Sequence, residues 1–242
     1  MNLGPATRFT ASPAEPPAAS SAADPQTTQE RQVAAWLESH RPELVASFRR
    51  FLPVARSAIL NRLLQCVLRE NIAGLAGKAQ FSPSDRVLTL PLVDGTIFTA
   101  PVLRVLSLDR WDFGTPIRVQ TGDTLEPVAN ATALLDLLRA EGLAGTVDPD
   151  AWFQHFRSEL DNSTANYALA LAGFELRCHQ LTREAQQLAR EAHQQGAETS
   201  LDWVDLQRAA DPRFNSLIFF EQLVVDGHPL HPGAKLKLGM SP

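Results

Sequence analysis

Cysteine is nearly absent: Cys66 and Cys178 are the two in 242 residues, and neither has another cysteine nearby in the sequence. That excludes a disulfide framework and an all-cysteine zinc cluster, and it suits a reducing cytoplasm. Cys66 lies inside the apolar stretch Leu63–Leu68 and reads as a buried, inert thiol. There is no continuous apolar run of the roughly 18 residues that a bilayer span needs. Nor does the N-terminus carry the apolar core of a secretory signal. Positive charge is not in excess either: 22 basic against 27 acidic residues leave a formal charge of −5. Such a balance lacks the basic field that gathers nucleic acid or an anionic membrane, so neither is an expected partner. Lysine is the scarcest of the charged types. Lys78, Lys235 and Lys237 are all there are, and two of them stand almost side by side.

With 44% hydrophobic and 20% charged residues the chain has the composition of a soluble globular protein. Its length fits one large domain or two small ones. Residues 1–30 are rich in Pro, Ala and Ser without apolar periodicity, and predict a flexible tail. From about Thr28 the pattern turns helical, with Val33, Trp36 and Leu37 on one face and Pro42 as a stop. A stronger stripe follows at Ile59, Leu60, Leu63, Leu64, Val67 and Leu68, predicting a packed helix closed by Gly74 and Gly77. The period then changes to two. Strands are predicted at 86–90, 96–100, 102–106 and 117–119, with turns at Asp94-Gly95 and at 113–116. Ala133–Ala140 reads as a helix closed by Gly142 and Gly145. Residues 150–195 read as a long helical region, interrupted by the polar patch Asp161-Asn162-Ser163-Thr164 as a break or a solvent-facing turn. A last helix is predicted from Phe214 to Val225. The expected class is α+β: the tail, a helix-plus-antiparallel-meander domain at 31–145, then a helical region at 146–242 leading into an incomplete nucleotide-binding domain.

The densest signal stands at the end, in the run Glu221-Gln222-Leu223-Val224-Val225-Asp226-Gly227-His228-Pro229-Leu230-His231-Pro232-Gly233-Ala234-Lys235-Leu236-Lys237-Leu238-Gly239. Each proline fixes its own φ and drives the histidine before it into an extended conformation. The loop is therefore stiff, and both imidazoles have set directions. A neutral imidazole donates a hydrogen bond and a lysine offers a compact positive charge. Held rigidly, they suit the oxygens of a phosphate under attack at phosphorus. From spacing alone a rigid surface turn serves equally well. A histidine metal site lacks a third ligand nearby, and the lysines would repel a cation. His40, His155, His179 and His193 read as structural or surface residues.

Gly227-His228-Pro229, His231-Pro232, Lys235 and Gly239 resemble the His-Pro-x-His-Pro-x-x-Lys-x-Arg-x-Gly signature of the IucA/IucC, or aerobactin-synthetase-like, siderophore synthetases. These enzymes act independently of non-ribosomal peptide synthetases. Weaker similarity runs back to about Ser57 and includes Glu159-Leu160 with Ser163 and Asn166; the tail shows none. The resemblance implies an N-terminal, thumb-like part of a cytoplasmic ligase that uses ATP and Mg2+ to adenylate a carboxylate, citrate or a dicarboxylic acid derivative. An amine or hydroxyl then captures the acyl group. It implies His228 and His231 as catalytic residues and Lys235, Lys237 and Gly239 as ATP-binding residues. Lys237 stands where the family has arginine, so it keeps the charge but loses the bidentate fork. The chain stops just past the signature, which gives the expectation of a truncated chain, inactive when isolated. From another class comes a noncatalytic remnant that folds, or pairs as a homodimer, without binding nucleotide. Phe219, Phe220, Leu223 and Val224 are expected to expose apolar surface in that setting.

Overall fold

The computed structural model describes residues 23–106, 110–143 and 148–194, together with Arg213, Asn215, Val225 and Gly233. The fold is α+β, as the change of period implies. A first helix, α1, covers Thr28–His40 and ends one residue short of Pro42. Residues 23–30, read with the flexible tail, are packed instead. Ala23 N donates to Arg49 O at 3.2 Å, and Glu30 is fully buried inside α1.

The second helix, α2, covers Val45–Arg69 and carries Pro53 within it. Proline has no N–H to offer the carbonyl four residues back. That carbonyl belongs to Arg49, and it takes the Ala23 N–H instead. The helix stops earlier than the glycines suggest, because Asn71 adopts the left-handed conformation (φ 47°). Gly77 falls inside α3, a single turn at Leu75–Lys78. By length and composition residues 42–69 could cross a bilayer, yet 56% of an apolar 18-residue stretch within them is buried inside this fold.

Six strands follow: β1 Gln80–Ser82, β2 Val87–Pro91, β3 Ile97–Leu106, β4 Arg110–Phe113, β5 Arg118–Thr121 and β6 Thr124–Pro127. They form one antiparallel sheet in the order β1-β2-β3-β5-β6, with β4 also on β3. The sequence pattern missed β1, β4 and β6 and split β3 at Pro101. Proline is tolerated there because of where the ladder breaks. The Pro101 carbonyl accepts from Gly114 N at 2.8 Å, between the ends of β4 and β5, so no donor is called for at that point. Gly114 itself is needed for closeness: a Cβ there would lie 3.2 Å from Leu103 Cδ2. Asp94-Gly95 is the turn between β2 and β3, with Gly95 at φ 84° and Asp94 Oδ1 accepting from Thr96 N at 2.9 Å.

Helix α4 covers Ala131–Leu137 under an Asn130 cap, and Gly142 (φ 77°) closes the turn after it. Gly145 lies outside the described residues. Helix α5 is continuous over Pro149–Gln194, so the polar patch at 161–164 is neither a break nor an exposed turn. Ser163 and Thr164 are buried. Thr164 Oγ1 donates back to Leu160 O (2.9 Å), and Asn166 Nδ2 reaches Asn162 O at 3.0 Å, so the polar groups bond along the helix rather than against it. The helix predicted at 214–225 lies outside the described residues, Asn215 and Val225 apart.

Two apolar clusters share α2. Ile59–Leu68 of α2 packs with the sheet, α4, Phe153 and Leu160. Leu44 and the first half of α2, up to Ala55, pack with α1 and with Ala165, Tyr167, Ala168 and Ala172 of α5. Cys66 is half-buried; burial, then the charge of Glu70, push its thiol up, which agrees with an inert group.

Candidate functional site

Where α1, α2, α4 and α5 meet, the apolar interior gives way to charge. Thr27 caps α1 by accepting from Glu30 N (3.2 Å), and Glu30 Oε2 reaches back to Thr27 N (3.2 Å) and Gln26 N (2.6 Å). This is a capping box, with the carboxylate folded over the helix start. The same carboxylate receives Arg56 of α2 as a fork: Nε to Oε1 at 2.9 Å and Nη2 to Oε2 at 2.7 Å. Arg56 Nη2 also donates to Asp24 O at 2.8 Å. The side chains are 0% and 7% exposed, so the pair is a buried one. Burial alone would raise Glu30, but the Arg56 bonds and the two backbone N–H groups outweigh it and hold the carboxyl below its ordinary range.

On the α5 side of this junction Arg157 pairs with Asp136 of α4. Asp161, one turn further along α5, is half-buried, and the Arg157 guanidinium near it is paired with Asp136. Burial is the main cause that pushes Asp161 up to about 6; the charges of Glu30 and Asp136 add to it, and Arg157 opposes. Its carboxyl is protonated in the fold at a pH where the unfolded chain has already ionised it. Folding therefore weakens as pH rises from about 4 to 6, and the penalty is complete above that. Asp161→Asn is expected to stabilise the chain by about 1–3 kcal/mol at pH 7.5, with the gain fading to nothing below pH about 4. Urea unfolding at a series of pH values checks this; a gain independent of pH would refute it.

Beside Asp161, Ser163 Oγ is fully buried with no hydrogen-bond partner among the described residues. The guanidinium of Arg62 lies over the Tyr167 ring, 4.9 Å from its centroid. Two open grooves flank this layer, each of about 550 Å³: one between β5–β6 and α4, lined by Asp94, Glu126 and Arg139, the other between α2 and α5, lined by Glu43, Arg50 and His179. In the second, Ser47 and Arg50 both donate to Glu175. The described residues hold no cluster of three or more His, Cys, Asp or Glu suited to a metal ion.

His228, His231, Lys235, Lys237 and Gly239 lie outside the described residues. Two of their neighbours are within them. Val225 packs against the α1–α2–α5 cluster, and Gly233 sits in a turn and is half-buried. Of the other histidines, His40 stacks on Trp36 (centroids 4.8 Å apart), and His155 bonds Glu159 at 3.1 Å, one turn along α5. Both are exposed local contacts, in keeping with a structural or surface role. The Glu30–Arg56 pair was missed in the sequence. Its trace is there: Thr27-x-x-Glu30 has capping-box spacing, and Arg56 stands in line with Phe48, Leu52, Ile59, Leu60 and Leu63 on the apolar stripe of α2.

The chain is similar to D-ornithine–citrate ligase of Staphylococcus aureus (strain NCTC 8325 / PS 47). The two are 23% identical over 241 residues, an alignment that covers 88% of this chain and 31% of that enzyme. The chain thus spans about a third of the length of that relative. The likeness is distant but runs through most of the chain. No protein-family profile matches the sequence.

Proposed function

We propose that this chain is the N-terminal part of an ATP-dependent ligase of the siderophore-synthetase kind. The proposed substrate is a polycarboxylate, citrate or a dicarboxylic acid derivative, and Mg2+ accompanies the nucleotide. A carboxylate oxygen attacks the α-phosphorus of ATP and pyrophosphate leaves. An amine or hydroxyl then attacks the acyl carbon of the adenylate and releases AMP, forming an amide or ester. The observation that carries this reading is the His-Pro-x-His-Pro-x-x-Lys run at 228–235 in a chain that is similar, over most of its length, to a ligase named for citrate.

In this reading His228 and His231 donate to phosphate oxygens from a proline-stiffened loop, and Lys235 and Lys237 offset the charge that develops there. The packing of Val225 on the α1–α2–α5 cluster supports it, because it ties the approach to the loop to the helical layer. Chemistry of this type is mostly positioning, which needs such a foundation. Isothermal titration of MgATP onto the protein that carries this chain is the test. Saturable heat at one site is expected. No heat at millimolar nucleotide would overturn the proposal and leave a noncatalytic folded remnant in its place.

A further inference from the structure

Arg157 has two carboxylates to choose from, and in this fold it holds one of them. It pairs with Asp136 of α4, through side chains that are 37% and 48% exposed. Asp161 lies four residues on along α5, so it shares a face of that helix with Arg157 and is within its reach. Half-buried as it is, Asp161 has no hydrogen bond or ion pair among the described residues. α1, α2 and α4 all pack on α5. α1 brings Glu30 towards Asp161, and that carboxylate is filled by the fork from Arg56 of α2. α2 also carries Arg62, whose guanidinium lies over the Tyr167 ring. α4 brings Asp136, and Arg139 just beyond it is held by Asp150. The positive charge that acts on Asp161 is that of Arg157.

The two pairings differ in what they satisfy. An exposed ion pair such as Arg157–Asp136 contributes little, because water serves each partner nearly as well. An ionised carboxylate in a half-buried place, with the like charges of Glu30 and Asp136 close by, gains far more from a guanidinium beside it. A protonated Asp161 makes no such demand.

We propose that Arg157 is a two-position, pH-set link between α5 and α4. While Asp161 carries its proton, Arg157 bridges to Asp136; when that carboxyl ionises, Arg157 turns along α5 to it and lets Asp136 go. Asp136 is the last residue but one of α4, Ala131–Leu137. A carboxylate without a countercharge there opposes the helix dipole, whose C-terminal end is already negative. The last turn of α4 therefore loosens, and Asp136 leaves its charge on the groove between β5–β6 and α4. The body of α4 stays in place, because Leu134 and Leu135 are buried. The sign is fixed: acid closes the link and rising pH opens it. Burial places the Asp161 midpoint at about 6, so the change falls close to neutrality.

Amide hydrogen exchange of the 242-residue chain, followed residue by residue by NMR from about pH 5 to about pH 7.5 and corrected for intrinsic exchange rates, tests this. The reporters are the Leu138 and Glu141 amides, which donate to Leu134 O at 3.1 Å and Leu138 O at 3.0 Å. Their protection is expected to fall about two- to fivefold as pH rises, the worth of one exposed ion pair. Asp161→Asn, which mimics the protonated carboxyl, should hold the high protection at every pH. Asp136→Asn should abolish the step while the urea midpoint still varies with pH, since Asp161 still titrates. A wild-type chain with no step at these amides overturns the proposal. So does a step that survives Asp136→Asn, because the loosening would then follow overall stability rather than the link. Each of these outcomes is independent of nucleotide binding.

Discussion

Replacing Arg56 with alanine is expected to cost about 3–5 kcal/mol of folding stability, the range seen when one partner of a buried ion pair is removed. The reason lies less in the bond lost than in the charge left behind. Glu30 is fully buried, and without the guanidinium its carboxylate keeps only the Gln26 and Thr27 N–H groups. The double variant Glu30→Gln/Arg56→Met separates the two contributions. Glutamine retains the reach to the helix start, and neither side chain carries a charge. It should therefore cost clearly less than Arg56→Ala alone, a difference that urea unfolding of the parent and the two variants measures. The pH dependence has a definite sign. Glu30 is held below its ordinary range, so the pair's contribution is present above the unfolded-state pKa and disappears as pH falls through the folded one. Equal losses in the single and double variants would show that the pair is not the anchor between α1 and α2.

Local periodicity carried α1, the stripe of α2, β2, the core of β5 and nearly the full length of α5 into the sequence reading. The misreadings share a cause: the deciding partner is distant in sequence. β1 and β6 are short edge strands of three and four residues, stabilised by β2 and β5 rather than by any pattern of their own. Pro101 looks like a strand end until Gly114 is seen to take its carbonyl. Asp161–Thr164 looks like a break until Thr164 and Asn166 are seen to bond one turn back. Arg56 on an apolar stripe has no visible explanation until Glu30, far upstream, is placed against it. The candidate phosphate loop is the reverse case. Its stiffness is legible in consecutive residues, because two His-Pro pairs restrict the backbone without tertiary help, whereas the phosphate-holding role rests on the resemblance. What the fold adds is an attachment point: Val225 on the cluster that the Glu30–Arg56 pair adjoins.

On the proposed reading, His228→Ala in the protein that carries this chain should lower citrate-dependent, ATP-dependent hydroxamate formation with hydroxylamine by about 10²–10³-fold, the usual cost of one preorganised donor at a centre of developing charge. The loss should fall mainly on turnover, since a donor that matters most in the transition state leaves ground-state binding nearly intact. Lys235→Ala should act differently, raising the KM for ATP because a point charge attracts the triphosphate throughout the reaction. Lys237→Arg is the informative gain. It adds a planar fork that can grip a phosphate at two oxygens, so MgATP affinity should rise, with the thermal melt unchanged. The three variants together distinguish a phosphate-holding loop from a merely rigid turn. A rigid turn would tolerate all three exchanges as long as Pro229 and Pro232 stay, and unaltered turnover in His228→Ala and His231→Ala would place the chemistry elsewhere in the molecule.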